Sequence, residues 1–171
     1  YNSKIETLDK IKKITGTDVK FYKADLLDPD SMETVFKENK FDAVIHFAGL
    51  KAVGESVQLP LRYYESNISG TINLCKLMDK YGCKNIIFSS SATVYGAPKS
   101  VPIREDFPLS TTNPYGTTKL FLERILTDLT VPDKDLKVIL LRYFNPIGAD
   151  ESGLIGEEPN GIPNNLMPYI M

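Results

Sequence analysis

The sequence contains few of the residues that bind metals or form disulfides. Only two cysteines, Cys75 and Cys83, and one histidine, His46, occur among its 171 residues. These side chains cannot supply the four ligands of a structural zinc site, so we predict no metal. Because free cysteines usually behave as small buried apolar side chains, we interpret both as free, partly buried thiols.

The sequence also lacks an excess of charge of one sign and any long hydrophobic run. Its 20 Lys and Arg against 22 Asp and Glu leave a formal charge of -2, which excludes the basic field that nucleic acid or anionic lipid requires. No apolar run approaches the roughly 18 residues that span a bilayer, and the first residues lack the apolar core of a signal peptide. We therefore expect a cytoplasmic protein that acts on small molecules, with no nucleic-acid or membrane partner.

What the chain does contain is the patterning of a folded α/β protein. With 42% hydrophobic and 25% charged residues, it can bury the core of one domain or slightly more, and disorder is excluded. Apolar runs rich in β-branched and aromatic residues recur, and a helical pattern follows each, which predicts a parallel sheet with crossover helices. The runs lie at residues 19–24, 42–48, 84–90 and 136–144.

Apolar spacing and capping residues predict the helices. Asp30 or Ser31 suits the cap of a short helix, and Gly82 suits the end of a longer one. Asn113 as cap and Pro114 at the first position begin the last helix. The predicted helices span residues 5–14, 31–39, 61–80 and 114–129.

Polar or glycine-bearing residues follow each apolar run. In an open parallel sheet, ligands bind beyond the carboxyl ends of the strands, where these residues would converge on one edge. Ordinary interpretations stay open: Asp25 could cap a turn, Lys51 could be solvated, and the strand-end serines could satisfy backbone groups. His46, inside a strand, is interpreted as structural. The residues are Asp25, Gly49-Leu50-Lys51, Ser90-Ser91-Ala92-Thr93 and Asn145-Pro146.

The sharpest signal is the spacing of Tyr115 and Lys119 at the start of the last predicted helix. Side chains four residues apart share one helix face, about 6 Å apart along the axis, although this spacing also arises by chance. A phenol has a pKa of about 10, and lowering that pKa by about three units takes about 4 kcal/mol, which a nearby ammonium could help supply. A hydroxyl at the neighbouring strand end, Ser91, could share the proton. The pattern therefore predicts Tyr115 as a base assisted by Lys119 and Ser91.

Longer sequence motifs resemble those of a known family. The motifs are HFAGLKAVGES at 46–56, FSSSATVYG at 88–96, NPYGTTK at 113–119, LRYFNPIGA at 141–149 and GIPNNLMPY at 161–169. Over essentially its whole length the chain resembles the extended short-chain dehydrogenase/reductase family, and within it the nucleotide-sugar epimerases. The resemblance implies a Rossmann-like doubly wound parallel sheet, NAD as cofactor, and interconversion of UDP-galactose and UDP-glucose through a 4-keto intermediate. It also implies a homodimer paired through the helices at 61–80 and 114–129.

The resemblance assigns roles to individual residues. Tyr115 is implied as the catalytic base, Lys119 as its pKa partner and ribose ligand, and Ser91 as the hydroxyl that shares the substrate proton. The implied NAD contacts are Asp25, Leu26, Phe47, Ala48, Gly49, Lys51, Asn67, Tyr115, Lys119, Tyr143 and Phe144. The implied contacts of the UDP-sugar are Ser91, Tyr115, Asn145, Asn164, Asn165 and Leu166.

The chain departs from the family pattern at its two ends. Relatives begin with a strand and a Gly-rich turn that holds the pyrophosphate, and neither occurs in this sequence. We therefore expect residues 1–149 to form a partial NAD-binding domain and residues 150–171 to begin a UDP-sugar domain, giving a fold truncated at both ends. We also expect this chain by itself to be weakly active or inactive.

Two other functions stay open on the same motifs. Nucleotide-sugar dehydratases resemble this sequence but place an Asp-Glu pair after the strand-end Thr, because elimination of water needs its own acid and base. Residues 91–95, SATVY, carry no carboxylate, which favours epimerisation, although another nucleotide-sugar substrate is possible. The chain could instead be an inert regulatory module of the same fold. The missing glycine turn favours that reading, and the retained Ser91, Tyr115 and Lys119 oppose it.

Overall fold

A computed structural model describes residues 4–156 of the chain. The chain divides into two compact units, of which one is Ala24–Phe144 and the other combines Tyr1–Lys23 with Asn145–Met171. In the second unit, helix α1 (Thr7–Thr15) ends at Gly16, whose φ of 71° is the left-handed conformation that glycine adopts readily. The sheet and every other helix assigned among the described residues belong to the first unit.

Three parallel strands form the sheet in the order β1-β2-β3. They are β1 (Val44–His46), β2 (Asn85–Ser91) and β3 (Lys137–Tyr143). In the central strand, Phe88 lies opposite both His46 and Leu140. Because the strands are parallel, their carboxyl ends meet at one edge, which confirms the predicted convergence of the residues that follow the second and third apolar runs.

Helices cover the face of the sheet that carries Phe88. Phe36, Leu74, Phe88 and Leu126 belong to one buried cluster, and complete burial of such a side chain contributes about 1.5–3 kcal/mol. The elements of this unit are α2 (Pro29–Glu38), α3 (Val53–Gln58), α4 (Pro60–Tyr63), a π-helical turn (Tyr64–Ser69), α5 (Gly70–Lys80), a 3-10 turn (Ala92–Val94) and α6 (Pro114–Leu129). Among residues 4–156, none of the helices combines the length and apolar character needed to cross a membrane.

The strand predicted at residues 19–24 is wrong. These residues form no strand, and Val19 and Phe21 are exposed by 49 and 54%. An extended segment becomes a strand only when its backbone groups pair with a neighbour. Within the part of the chain that the structure describes, β1 pairs with β2 alone, so no strand offers residues 19–24 a partner.

The predicted start of helix α2 is also wrong by two residues. Its cap is Asp28, not Asp30 or Ser31, because the Asp28 carboxylate accepts hydrogen bonds from the backbone N–H groups of both of those residues. Pro29 then occupies the first helical position, where the missing N–H is not needed.

The later helices largely confirm the sequence pattern. Asn113 caps α6, with its Oδ1 accepting the Gly116 N–H at 2.8 Å, and Pro114 follows at the first position. Gly82, with φ of 72°, follows the end of α5. The predicted helix 61–80 is present but changes its hydrogen-bond pattern at the π-helical turn, a feature often found at functional sites.

The cysteines and the histidine have the structural roles expected of them. Cys75 is partly buried, Cys83 is buried, and both are free thiols. His46 is 3% exposed, and its Nε2 lies 2.8 Å from the Thr71 hydroxyl oxygen. The structural interpretation of His46 is therefore confirmed by its geometry.

Candidate active site

The candidate site lies where β2 ends and α6 begins. Ser91, the last residue of β2, accepts hydrogen bonds at Oγ from the Thr93 N–H (3.2 Å) and the Thr93 hydroxyl (3.0 Å). Because Thr93 supplies both donors, the Ser91 proton is free to point elsewhere. The Ser91 hydroxyl lowers the pKa of the phenol of Tyr115, which lies in the first turn of α6.

Close approach between α6 and the 3-10 turn brings these two residues together. A Cβ added at Gly116 would lie 3.3 Å from three atoms of Thr93, closer than most Cβ contacts. A glycine at this position therefore lets the first turn of α6 pack directly on the turn that follows Ser91.

Tyr115 is partly buried, and its backbone is hydrogen-bonded to a neighbouring helix. Its N–H donates to Ser56 Oγ at 3.1 Å, and Ser56 is fully buried in helix α3. Burial raises the pKa of the Tyr115 phenol, and the hydrogen bond from Ser91 acts in the opposite direction. Burial dominates in the chain alone.

Lys119 lies beneath Tyr115 on the same face of α6. It is 5% exposed, its Nζ donates to the Ser89 carbonyl at 2.7 Å, and it lies 4.8 Å from the Phe88 ring centroid. The distance from Nζ to the Tyr115 ring centroid is 5.9 Å. Burial lowers the pKa of Lys119 to about 8.

These two pKa shifts correct one expectation. We expected the Lys119 ammonium to lower the pKa of Tyr115, but in the chain alone that pKa is raised. Burial disfavours the phenolate of Tyr115 and the ammonium of Lys119 alike, so it places the Lys119 pKa below that of Tyr115. The group that lowers the Tyr115 pKa here is Ser91.

The loop after β1 exposes four of the residues assigned to NAD. Phe47 is 65% exposed, and Ala48, Gly49 and Lys51 are also exposed. Gly49 has φ of 150°, and a Cβ there would meet the Asn67 amide oxygen at 3.1 Å. The backbone of this loop therefore depends on glycine and on the neighbouring Asn67.

Asn67 supports the loop after β1. It is 3% exposed and lies in the π-helical turn. Its Oδ1 accepts the Leu50 N–H at 2.8 Å, and its Nδ2 donates to the Leu50 carbonyl at 3.0 Å and to Thr118 Oγ1 at 3.1 Å. Both amide hydrogens are used within the protein, so Asn67 positions the loop, and its contact with NAD stays a prediction.

Asp25 and Leu26 lie in the turn before α2. Asp25 Oδ1 accepts the Leu27 N–H at 2.9 Å, which is the turn-capping interaction that the sequence left open. The Leu26 carbonyl accepts from Asn73 Nδ2 at 3.0 Å, and a Cβ on Gly70 would lie 3.0 Å from Leu26 Cβ. This turn is thus packed on α5, and its carboxylate remains exposed.

The end of β3 lies beside Ser91. Tyr143 is the register partner of Ser91, and Tyr143 and Phe144 are 37 and 61% exposed. Asn145 is exposed and belongs to the other compact unit. Asn164, Asn165 and Leu166 lie outside the described residues.

Sequence reasoning missed several residues that hold the site. Ser56 supports Tyr115 from a short helix, α3, that we did not predict. Glu123 is 4% exposed and pairs with Arg142 at 2.8 Å. Continuing the four-residue spacing from Tyr115 through Lys119 would have led to Glu123, whereas no local pattern marks Ser56.

Comparisons with known proteins agree with this fold. The chain matches the NAD dependent epimerase/dehydratase family over residues 2–171. UDP-glucose 4-epimerase of Bacillus subtilis is 64% identical over 169 residues, which are 99% of this chain and 50% of that protein. UDP-glucose 4-epimerase from Bifidobacterium longum, solved in complex with NAD+ and UDP, is 58% identical with a TM-score of 0.96, covering 99% of this chain and 51% of that one.

A second solved structure gives the same picture. UDP-glucose 4-epimerase from Stenotrophomonas maltophila, with bound NAD and formylated UDP-arabinopyranose, is 48% identical with a TM-score of 0.95, covering 99% of this chain and 50% of that one. The chain spans about half the length of the curated relatives it matches. The likeness confirms the Rossmann-like parallel α/β fold, and the chain belongs to the NAD dependent epimerase/dehydratase family.

Proposed function

We propose that the whole protein interconverts UDP-galactose and UDP-glucose by NAD-dependent epimerisation at C4. The observation that carries the proposal is the meeting of Ser91, Tyr115 and Lys119 where β2 ends and α6 begins, with Lys119 Nζ 5.9 Å from the Tyr115 ring centroid and Ser91 lowering the pKa of the Tyr115 phenol. The names of the similar proteins, and the NAD and uridine nucleotides bound in two of them, support it.

The exposed residues at the carboxyl ends of β1 and β3 fit a dinucleotide. Phe47 and Phe144 offer exposed aromatic surface, and Gly49 lets the loop after β1 lie close to Asn67. The chemistry that NAD supplies when bound is reversible hydride transfer at C4 of the sugar. The residues we propose to hold it are Phe47, Ala48, Gly49, Lys51, Asn67, Tyr115, Lys119, Tyr143 and Phe144, with Asp25 and Leu26 towards the adenine.

The chain's own residues manage the proton and the orientation of the sugar. Tyr115 Oη removes the proton of the sugar 4-hydroxyl as C4 becomes a ketone, and it returns that proton after the keto sugar has presented its other face. Ser91 hydrogen-bonds the reacting oxygen and favours the phenolate. Because burial raises the pKa of Tyr115, this hydrogen bond is the chain's own contribution to activating the base.

The turn after β2 favours epimerisation over elimination of water. Residues 91–95 hold no carboxylate, and Val94 is fully buried. Glu123, the buried acid of the facing helix, is bound by Arg142 at 2.8 Å and is not free to protonate a leaving hydroxyl. Elimination would require an acid and a base that this turn does not supply.

Three further assignments belong to the same proposal. Asn145, Asn164, Asn165 and Leu166 are proposed to contact the UDP-sugar. Exposed apolar side chains on α3, α4 and α6 support a homodimer paired through these helices: Val57 (62%), Leu61 (81%) and Phe121 (51%). A cytoplasmic location and a boundary between the two domains near residue 149 stay predictions.

The test is substitution of Tyr115 in the whole protein. We expect Tyr115→Phe to lower kcat for conversion of UDP-galactose to UDP-glucose by about 10²–10⁴-fold, because the phenol is the proposed base. Conversion is measured by following both nucleotide sugars chromatographically, with UDP-N-acetylgalactosamine as a second substrate to define the sugar that fits.

The matched control is Tyr81→Phe, which removes the same hydroxyl from a partly buried tyrosine whose partner is Glu33. It should leave kcat within about twofold of the wild type. Wild-type protein that converts neither UDP-galactose nor UDP-glucose would overturn the proposed activity. A Tyr115→Phe enzyme as fast as Tyr81→Phe would overturn the assignment of the base.

A further inference from the structure

A buried ion pair lies on the helix face that carries Tyr115 and Lys119. Glu123 is one turn beyond Lys119 on α6 and is 4% exposed. Arg142 of β3 binds it through two nitrogens: Nε lies 3.0 and 3.2 Å from the two carboxylate oxygens, and Nη2 lies 2.8 Å from Oε2. This forked geometry gives directional specificity as well as charge neutralisation.

Glu123 also binds the residue directly before Ser91. Ser90 is 3% exposed, and its hydroxyl donates to Glu123 Oε1 at 2.5 Å. Ser90 and Ser91 are consecutive, so a bond that holds Ser90 against α6 limits where the Ser91 backbone can lie.

Arg142 binds the chain on the other side of Ser91. Its Nη1 donates to the Tyr95 hydroxyl at 2.9 Å and to the Glu105 carbonyl at 3.0 Å. Its guanidinium carbon also lies 5.0 Å from the Tyr95 ring centroid. Tyr95 is 4% exposed and follows directly after the 3-10 turn Ala92–Val94.

The ion pair therefore clamps both ends of the short segment that contains Ser91. Glu123 binds Ser90 at one end, Arg142 binds Tyr95 at the other, and the two charged groups bind each other. We propose that Glu123 and Arg142 are positioning residues that keep the Ser91 hydroxyl at the Tyr115 phenol. The catalytic consequence rests on the proposed function, whereas the geometric one does not.

General energetics favour positioning over stability as the reason for this pair. Removing two charges from water is costly, and buried ion pairs can often be replaced by apolar side chains without loss of stability. Their best-attested value is in selecting one arrangement of the elements they join, here β2, β3 and α6.

The test compares Glu123→Gln with a control that breaks an ion pair at the other end of the same elements. Lys84 immediately precedes β2, and its Nζ lies 2.8 Å from Asp133, which follows α6, so Asp133→Asn is the control. In the whole protein we expect Glu123→Gln to lower kcat about tenfold or more with KM for UDP-galactose nearly unchanged, because misplacement of a reacting group affects the chemical step. Asp133→Asn should leave both constants near wild type.

A second readout does not depend on activity. The Tyr115 phenol can be titrated by NMR with tyrosine labelled at the ring carbon that bears the hydroxyl, its signal identified by its loss in Tyr115→Phe. Because the Ser91 hydrogen bond lowers the Tyr115 pKa, displacing Ser91 should raise the Tyr115 pKa. Lys119, the titratable group beside the ring, is not substituted in these variants.

Ser90→Ala provides a milder variant in case Glu123→Gln does not fold. It removes only the hydroxyl that links Glu123 to β2, and it should change kcat and the Tyr115 pKa in the same directions. Wild-type values of both quantities in folded Glu123→Gln or Ser90→Ala, or equal effects of Asp133→Asn, would overturn the positioning role. An inactive wild type would overturn the proposed function alone, and the Tyr115 titration would still decide the role of the pair.

Discussion

At the scale of single residues, burial controls the titrating groups near the end of β2. It raises the pKa of Tyr115, lowers that of Lys119 to about 8 and lowers that of His46 to about 4, where the Lys119 charge adds to the effect. Each shift favours the neutral form, because the charged form loses hydration. At Tyr115 a hydrogen bond from Ser91 opposes the effect of burial, because it favours the charged form of the phenol.

The neutral form of His46 fits its hydrogen bonds. The Thr71 hydroxyl donates to the Asn67 carbonyl at 2.7 Å, so its oxygen accepts from His46 at 2.8 Å. His46 is therefore the tautomer with its proton on Nε2. The chain of bonds ends at Asn67, which also holds the loop after β1.

His46 makes stability depend on pH. Its pKa is about 4 in the folded protein against 6.5 as the ordinary value, so the unfolded state binds a proton first as pH falls. The contribution of neutral His46 to the free energy of unfolding is complete above about pH 6.5 and declines as pH falls towards 4. We expect the free energy of unfolding to fall by about 2 kcal/mol between about pH 7.5 and pH 5. Urea titrations at these pH values should show this loss in wild type and not in His46→Gln, which cannot titrate. Equal pH dependence in both proteins would contradict the prediction.

At the scale of elements, the first turn of α6 is satisfied by side chains from two places. Asn113 accepts the Gly116 N–H at 2.8 Å, and Ser56 accepts the Tyr115 N–H at 3.1 Å. The first N–H groups of a helix have no partner within it, and Pro114 removes one of them. Helix α3 therefore takes part in placing Tyr115, although it lies far away in the sequence.

Removing the Ser56 hydroxyl should weaken this placement. Ser56→Ala leaves the Tyr115 N–H without its acceptor in a buried setting, which costs about 1–3 kcal/mol of unfolding free energy. The control is Ser69→Ala, which removes the hydroxyl of an exposed serine in the π-helical turn. Comparing the urea titrations of the two variants isolates the effect of the lost bond. The same unfolding free energy in both variants would show that the bond contributes no stability.

At the scale of the whole molecule, the described elements leave apolar surface exposed in two places. One is the sheet face opposite Phe88, where Ile45 and Ile139 are 60 and 51% exposed. The other lies on the helices, where Leu61 is 81% and Phe121 51% exposed. Exposed apolar patches of this kind mark surfaces that other protein segments cover.

The helix surface predicts association of two copies. We expect Leu61→Glu to shift the whole protein from dimer to monomer in sedimentation velocity experiments, because an interface centre does not accommodate an unpaired charge. Val131→Glu places the same charge at a 65% exposed apolar residue after α6 and should leave the dimer intact. A monomeric wild type, or dimeric Leu61→Glu, would contradict the proposed pairing.

Much of this architecture was predictable from local patterns. Continuous apolar runs predicted β1, β2 and β3, and Asn113 with Pro114 predicted the start of α6 to the residue. Patterns of this kind work because periodicity and capping are properties of neighbouring residues. The extended run at 19–24 shows their limit: strand propensity does not provide a hydrogen-bonding partner.

The sequence alone determined the order of elements, the family resemblance and the helix face shared by Tyr115 and Lys119. The family resemblance depends on matching sequence motifs, and the other two depend on residues close together in the chain. Only the tertiary structure decided that Ser91 meets Tyr115, that Asn67 serves the loop after β1, and that burial outweighs Lys119 in setting the Tyr115 pKa. It also decided the pairing of Glu123 with Arg142 across α6 and β3. These contacts join residues far apart in sequence, and desolvation depends on everything packed around a group, which no local pattern records.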